Sequence, residues 1–104
     1  MDGCLMMNVK TVEFVLKAAA NDFYLVFSSA DCAPCGPVKK IVDEQAVRAG
    51  VPAFVVDVDG SPEEAERYGV QGLPTVIYFD GGKEWARKTG SATAEEIERL
   101  RAVY

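Results

Sequence analysis

Short β-branched and aromatic runs alternating with stretches of helical periodicity predict an α/β chain: a mixed five-stranded sheet in the order βαβαβα followed by ββα, with helices on both faces. Three observations carry this. Phe23–Phe27 is apolar without polar alternation, the pattern of a strand covered on both faces, and Ala53–Val58 reads as another strand. A helical stretch lies between them, so the two strands pair in parallel through a right-handed crossover. Asp80-Gly81-Gly82 follows the apolar run Thr75–Phe79 and reads as a tight hairpin, which makes the next strand, about Glu84 to Lys88, antiparallel.

The remaining elements follow in order. Leu5 to Val9 is a short apolar run that reads as a first strand, with Cys4 buried at its start. From about Val9 to Ala20, the residues Val12, Val15, Leu16 and Ala19 share a helical face, Asn8 or Thr11 caps the start, and Asn21 suits the left-handed turn at the end. A second helix runs from about Pro34 to Ala49, with Pro37 in its first turn, where a missing N–H is tolerated, and Gly50 just beyond its end. Ser61, Pro62 and Glu64 spell an N-cap, a first-position proline and a capping box for a short third helix ending near Tyr68 and Gly69. Gly90 breaks the last strand. Thr93 and Glu96 form a second capping box, before a helix on which Ile97, Leu100 and Tyr104 share a face. Trp85 is expected to pack in the core or on the sheet face.

Bulk properties restrict the function. A chain of 104 residues, 49% hydrophobic and 26% charged, has the size and composition of one domain spanning residues 1–104. A net charge of −5 without any basic run argues against a general nucleic-acid-binding role. The first residues, Met1-Asp2-Gly3-Cys4-Leu5, show neither a basic n-region nor a sustained apolar stretch, so the expectation is no signal peptide, no membrane span and a cytoplasmic location. The Glu63, Glu64, Glu66 and Glu95, Glu96, Glu98 clusters read as solvated helix faces. No glycine-rich phosphate loop is present, which leaves no cofactor expected.

Chemistry concentrates in Asp31-Cys32-Ala33-Pro34-Cys35-Gly36-Pro37, between the second strand and the second helix. Two cysteines three apart across a helix start can reach each other. The first sits where a helix N-terminus favours a thiolate, and a second sulfur lies one turn further on. An ionisable, exposed sulfur with a partner behind it is what thiol–disulfide exchange requires. Three cysteines in all, an odd number, argue against a stapled secreted scaffold. On the residues alone two other readings stay open. Zinc or an iron–sulfur cluster needs about four ligands. With Cys32, Cys35, Cys4 and no histidine, only a dimer sharing the metal supplies them. The other is a non-enzymatic module holding extended chains along Gly72-Leu73-Pro74. A glutaredoxin-like activity on glutathione calls for a basic pocket, which the sequence does not supply.

Over nearly its whole length the chain resembles the thioredoxin family. The likeness lies in the strand ending Val26-Phe27, the Cys32-Ala33-Pro34-Cys35 motif at the head of the second helix, Asp59 and Pro62, the turn Gly72-Leu73-Pro74-Thr75, and Gly90. The resemblance implies the thioredoxin fold and a monomeric protein-disulfide oxidoreductase regenerated by thioredoxin reductase or a dedicated reductase. It further implies Cys32 as nucleophile, Cys35 as the shielded resolving cysteine and Pro34 keeping the dithiol reducing. Pro74 would be cis, the Leu73 backbone would pair with an extended substrate, and the substrate would lie along Ala33, Pro34, Leu73 and Pro74. Three departures stand out. Asp31 replaces the tryptophan usual before the first cysteine and opposes the Cys32 thiolate. Val26 and Val55 replace a buried aspartate and its lysine, removing the usual proton carrier for Cys35. Lys40 replaces a helix-kinking proline.

Overall fold

The computed structural model describes residues 6–17 and 21–102. Cys4, the start of the first strand, Ala18–Ala20 and Tyr104 therefore lie outside the described residues. Nine elements follow one another: β1 (Met7–Val9), α1 (Val12–Lys17), β2 (Phe23–Ser28), α2 (Cys35–Ala49), β3 (Ala53–Asp57), α3 (Pro62–Arg67), β4 (Thr75–Asp80), β5 (Lys83–Thr89) and α4 (Ala94–Arg99). They form one five-stranded sheet in the order β1-β3-β2-β4-β5. β1 and β2 both run parallel to β3, while β4 runs antiparallel to β2 and β5.

β2 is the middle strand, and all six of its residues are buried, as its unbroken apolar run predicts. Alternate residues point to opposite layers. Tyr24 and Val26 pack with Val38, Val42 and Ala46 of α2 and with Ile97 of α4. Phe23, Leu25 and Phe27 pack on the other face with Val12 and Val15 of α1 and with Ala65 and Tyr68 at α3. Phe23 stacks on Phe79 with ring centroids 4.6 Å apart. On the first face, Tyr24 Oη donates to the Ile97 carbonyl at 3.0 Å and accepts from Arg101 at 2.7 Å, and Arg101 also donates to Gln45 Oε1 at 3.1 Å, tying β2, α2 and α4 together. Register places Asn8, Val55, Val26, Val76 and Lys88 in one row across the five strands.

Local signals hold at most element ends and fail at one. Gly50 takes φ 72° and its N–H donates back to the last turn of α2. The Thr93/Glu96 capping box is present at α4. Gly81 (φ 64°) and Gly82 (φ 80°) make the β4–β5 hairpin, both in the left-handed region a primed turn needs. Thr11 caps α1, its Oγ1 accepting from Phe14 N–H at 3.1 Å, and α1 starts at Val12 because Val9 belongs to β1. At α3, Ser61 occupies the N-cap position and Pro62 follows, but the expected capping box does not form. Glu64 instead turns inward, 5% exposed, and its carboxylate accepts the Val12 N–H at 2.9 Å, giving an orphan donor of α1 a partner from α3. Trp85 lies on the outer strand, 48% exposed, with its indole N–H donating to the Ala102 carbonyl at 3.0 Å; it is a sheet-face residue and no part of the core. β5 extends to Lys83 and Thr89, past the expected bounds, and takes up a bulge opposite Tyr78/Phe79.

Candidate active site

The loop after β2 delivers the two cysteines to the head of α2. Ser28 is the last buried residue of β2, and a turn closes through Cys32 N–H to the Ser29 carbonyl at 3.2 Å. Cys35 N–H then donates to the Cys32 carbonyl at 3.2 Å, folding the motif back on itself. Cys32 and Cys35 are disulfide-bonded, with Cα atoms 5.4 Å apart. The two sulfurs differ in access: Cys32 is partly exposed, whereas Cys35 is 1% exposed and opens the buried stripe of α2 that continues with Val38 and Val42. Pro34 and Pro37 bring no N–H to the first turn, and that of Cys35 is engaged with Cys32, so fewer donors face the leading sulfur than a generic helix start offers.

Cys32 lies in a shallow groove of about 410 Å³ lined by Ser29, Asp31, Cys32, Ala33, Pro34 and Leu73. Five of the residues singled out in the sequence, Asp31, Cys32, Ala33, Pro34 and Leu73, thus share one surface. Cys35 lies beneath it, and Pro74 is buried beside Leu73. The Leu73–Pro74 peptide bond is cis. Neighbouring backbone groups are engaged: Thr75 Oγ1 donates to the Gly72 carbonyl at 2.6 Å and Gly90 N–H to the Pro74 carbonyl at 2.7 Å. Among the described residues neither the N–H nor the carbonyl of Leu73 has a backbone partner. Gly72 is required by a close approach, since a Cβ there would lie 3.1 Å from Thr89 Cγ2.

Two residues that sequence reasoning did not assign to the site hold this loop. Ser29 Oγ accepts the Asp31 N–H at 3.2 Å and donates to Asp59 Oδ2 at 2.8 Å, which moors the loop to the segment after β3. Asp59 belongs to the motif set of the resemblance, but its partner is 30 residues away and carries no local mark. On the α2 face of the sheet, Val26 is fully buried with Val55 and Val76 as its register partners, so that row carries no ionisable side chain until Lys88 on β5. α2 runs unbroken from Cys35 to Ala49 through Lys40. Among the described residues no three His, Cys, Asp or Glu side chains come together as a metal site.

A partly exposed cysteine bonded to a buried one at the head of a central helix, beside a cis-proline turn, defines a dithiol–disulfide redox protein. Comparison with known proteins gives the particular family. The thioredoxin family profile matches residues 5–102. Thioredoxin of Chlamydia trachomatis is 31% identical over 97 residues, covering 91% of this chain and 95% of that one. Chloroplastic thioredoxin M4 of Arabidopsis thaliana is 33% identical over 96 residues, which cover 88% of this chain and 50% of the relative. Among solved structures, Fasciola hepatica thioredoxin superposes with TM-score 0.79 at 26% identity, over 91% of this chain and 96% of that one. The N21Q mutant thioredoxin of Halobacterium salinarum gives TM-score 0.82 at 22% identity, over 94% and 88%, and speaks for the fold. The chain belongs to the thioredoxin family. It is a thiol–disulfide oxidoreductase working through Cys32 and Cys35, with protein disulfides as substrates and a separate reductase as partner.

Proposed function

We propose that the chain reduces protein disulfides, with Cys32 attacking and Cys35 resolving, and that the substrate's extended segment pairs with the backbone of Leu73. The observation that carries this reading is the unpartnered Leu73 backbone lying in one groove with a partly exposed Cys32. An extended chain laid there gains main-chain hydrogen bonds in the manner of strand addition and is held with its sulfur over Cys32. Ala33, Pro34 and Pro74 form the apolar bed under it. The Cys32 thiolate attacks one substrate sulfur and expels the other, giving a mixed disulfide. The Cys35 thiolate then attacks Cys32 Sγ, releases the second substrate thiolate and closes the Cys32–Cys35 bond. Two electrons have passed to the substrate, and an external reductase returns them. Asp31 sits on the groove rim where it opposes the Cys32 thiolate and marks the surface that such a reductase, thioredoxin reductase or a dedicated one, must fit. The reading extends to a monomer in the cytoplasm; for the compartment, its support is the odd cysteine count, which does not suit a stapled secreted scaffold.

The test is insulin reduction with dithiothreitol as electron source. Cys32→Ser loses the activity entirely, while Cys35→Ser accumulates a stable mixed disulfide with the substrate chain. Activity retained in Cys32→Ser overturns the reading.

A further inference from the structure

Resolution of the mixed disulfide needs Cys35 as a thiolate, yet Cys35 is buried, and the central row on the α2 face of the sheet carries Val26 and Val55, neither of which ionises. We propose that Lys39 supplies the missing charge from the helix itself, its ammonium stabilising the Cys35 thiolate, a step that rests on the redox reading above. Cys35 and Lys39 are four apart on α2 and so lie about 40° apart around its axis, on one stripe with Cβ atoms about 5–6 Å apart. Lys40, five along, is turned about 140° from Cys35.

Lys39 is half-buried and lines a cavity of about 340 Å³ between α2 and the β1–β3 side of the sheet, together with Gly36, Lys40, Asp43, Asn8 and Val55. Val55 is the register partner of both Asn8 and Val26, so the cavity reaches the outer end of that apolar row. Gly36, the residue after Cys35, also lines it. Of the charged groups on the cavity, Lys39, Lys40 and Asp43 all come from α2, and β1 and β3 contribute none. The other charges around Cys35 are placed elsewhere. Asp31 is on the groove side, Glu96 is paired with Lys88 at 3.2 Å, and Arg101 is bonded to Gln45, about 15 Å along α2. Among the described residues, the cavity wall on this side of α2 therefore carries two cations and one carboxylate.

In the step itself Cys35 releases its proton to water. Its thiolate attacks Cys32 Sγ, the Cys32–substrate bond breaks, and the substrate sulfur leaves with the electron pair and takes a proton from solvent. Lys39 gives up no proton; it lowers the free energy of the thiolate facing it.

Ultraviolet thiolate absorbance in a background carrying both Cys4→Ser and Cys32→Ser reads Cys35 as the one remaining thiol. There Lys39→Met raises the Cys35 titration midpoint by about one pH unit, tenfold less thiolate at neutral pH, and Lys39→Arg restores it. Because a more basic thiolate is also a better nucleophile, mixed-disulfide resolution in the chain with both cysteines slows by only about threefold. Lys40→Met leaves the midpoint in place. An unmoved midpoint in Lys39→Met, a failure of arginine to restore it, or an equal shift in Lys40→Met overturns the assignment. If the unaltered chain reduces insulin while any of these holds, Lys39 alone is ruled out; if it does not, the redox reading falls first.

Discussion

Asp31 and Ser29 act on the leading sulfur by different physics. Ser29 works through geometry, its hydroxyl joining the Asp31 backbone to Asp59 and so fixing where Cys32 points. Asp31 is proposed to work through charge, because an exposed carboxylate in the residue before Cys32 opposes formation of a thiolate. At about 6 Å in a surroundings close to bulk water, one unit charge alters such an equilibrium by roughly threefold. Asp31→Asn is therefore expected to raise the rate of Cys32 alkylation by iodoacetamide near pH 7 by about threefold, an effect that fades at high salt as screening takes over. No acceleration at low salt means that Asp31 acts only through what docks on the groove.

At the scale of elements, α4 shows how a short helix is held. Six residues are too few to be helical alone, so its ends and its packing must supply the stability. Thr93 Oγ1 accepts the Glu96 N–H at 3.2 Å and Glu96 Oε1 accepts the Thr93 N–H at 2.9 Å, while Lys88 Nζ reaches Glu96 from β5 at 3.2 Å. The backbone hydrogen bond from Thr93, followed by the contact with Lys88, holds the Glu96 carboxyl below its ordinary value of 4.5. A depressed folded-state pKa contributes stability above the unfolded value, which is lost as pH falls through the folded one. Thr93→Ala is expected to cost about 1 kcal/mol at pH 7, read as a lower urea midpoint. The gap between the unaltered chain and Glu96→Gln should be constant above about pH 5 and narrow below it; a gap that widens on acidification contradicts the capping role. This box was legible because both partners lie within three residues of each other. The same pattern at Ser61 and Glu64 misled, since the Glu64 partner is Val12, 52 residues away, and only the packed sheet brings them together. For the same reason β2, Gly50 and the cysteine loop could be read directly. The mooring of Ser29 by Asp59 and the cavity behind Lys39 could not, because they depend on which strand edge and which helix face meet.

For the molecule as a whole, the redox couple and the stability of the fold are two sides of one cycle. The two faces of the sheet fix α2 against β2, which buries Cys35, and the turn through Ser29 and Cys32 sets the partner sulfur beside it. Folding thus holds the pair ready to bond, with Cα atoms 5.4 Å apart, whereas the unfolded chain must close the loop at an entropic cost. For a loop of about four residues that cost is about 2 kcal/mol. The oxidised chain should accordingly melt roughly 10 °C above the reduced one. Thermodynamic closure then requires the folded dithiol to be more reducing than the same dithiol in denaturant by the same free energy, about 40 mV for two electrons. Melting both redox forms, and equilibrating the chain with a glutathione series in native buffer and in guanidinium, measures the two sides independently. A reduced form that melts higher than the oxidised one reverses the sign of both, and would mean that the fold favours the separated thiols and drives the chain to oxidise its partners.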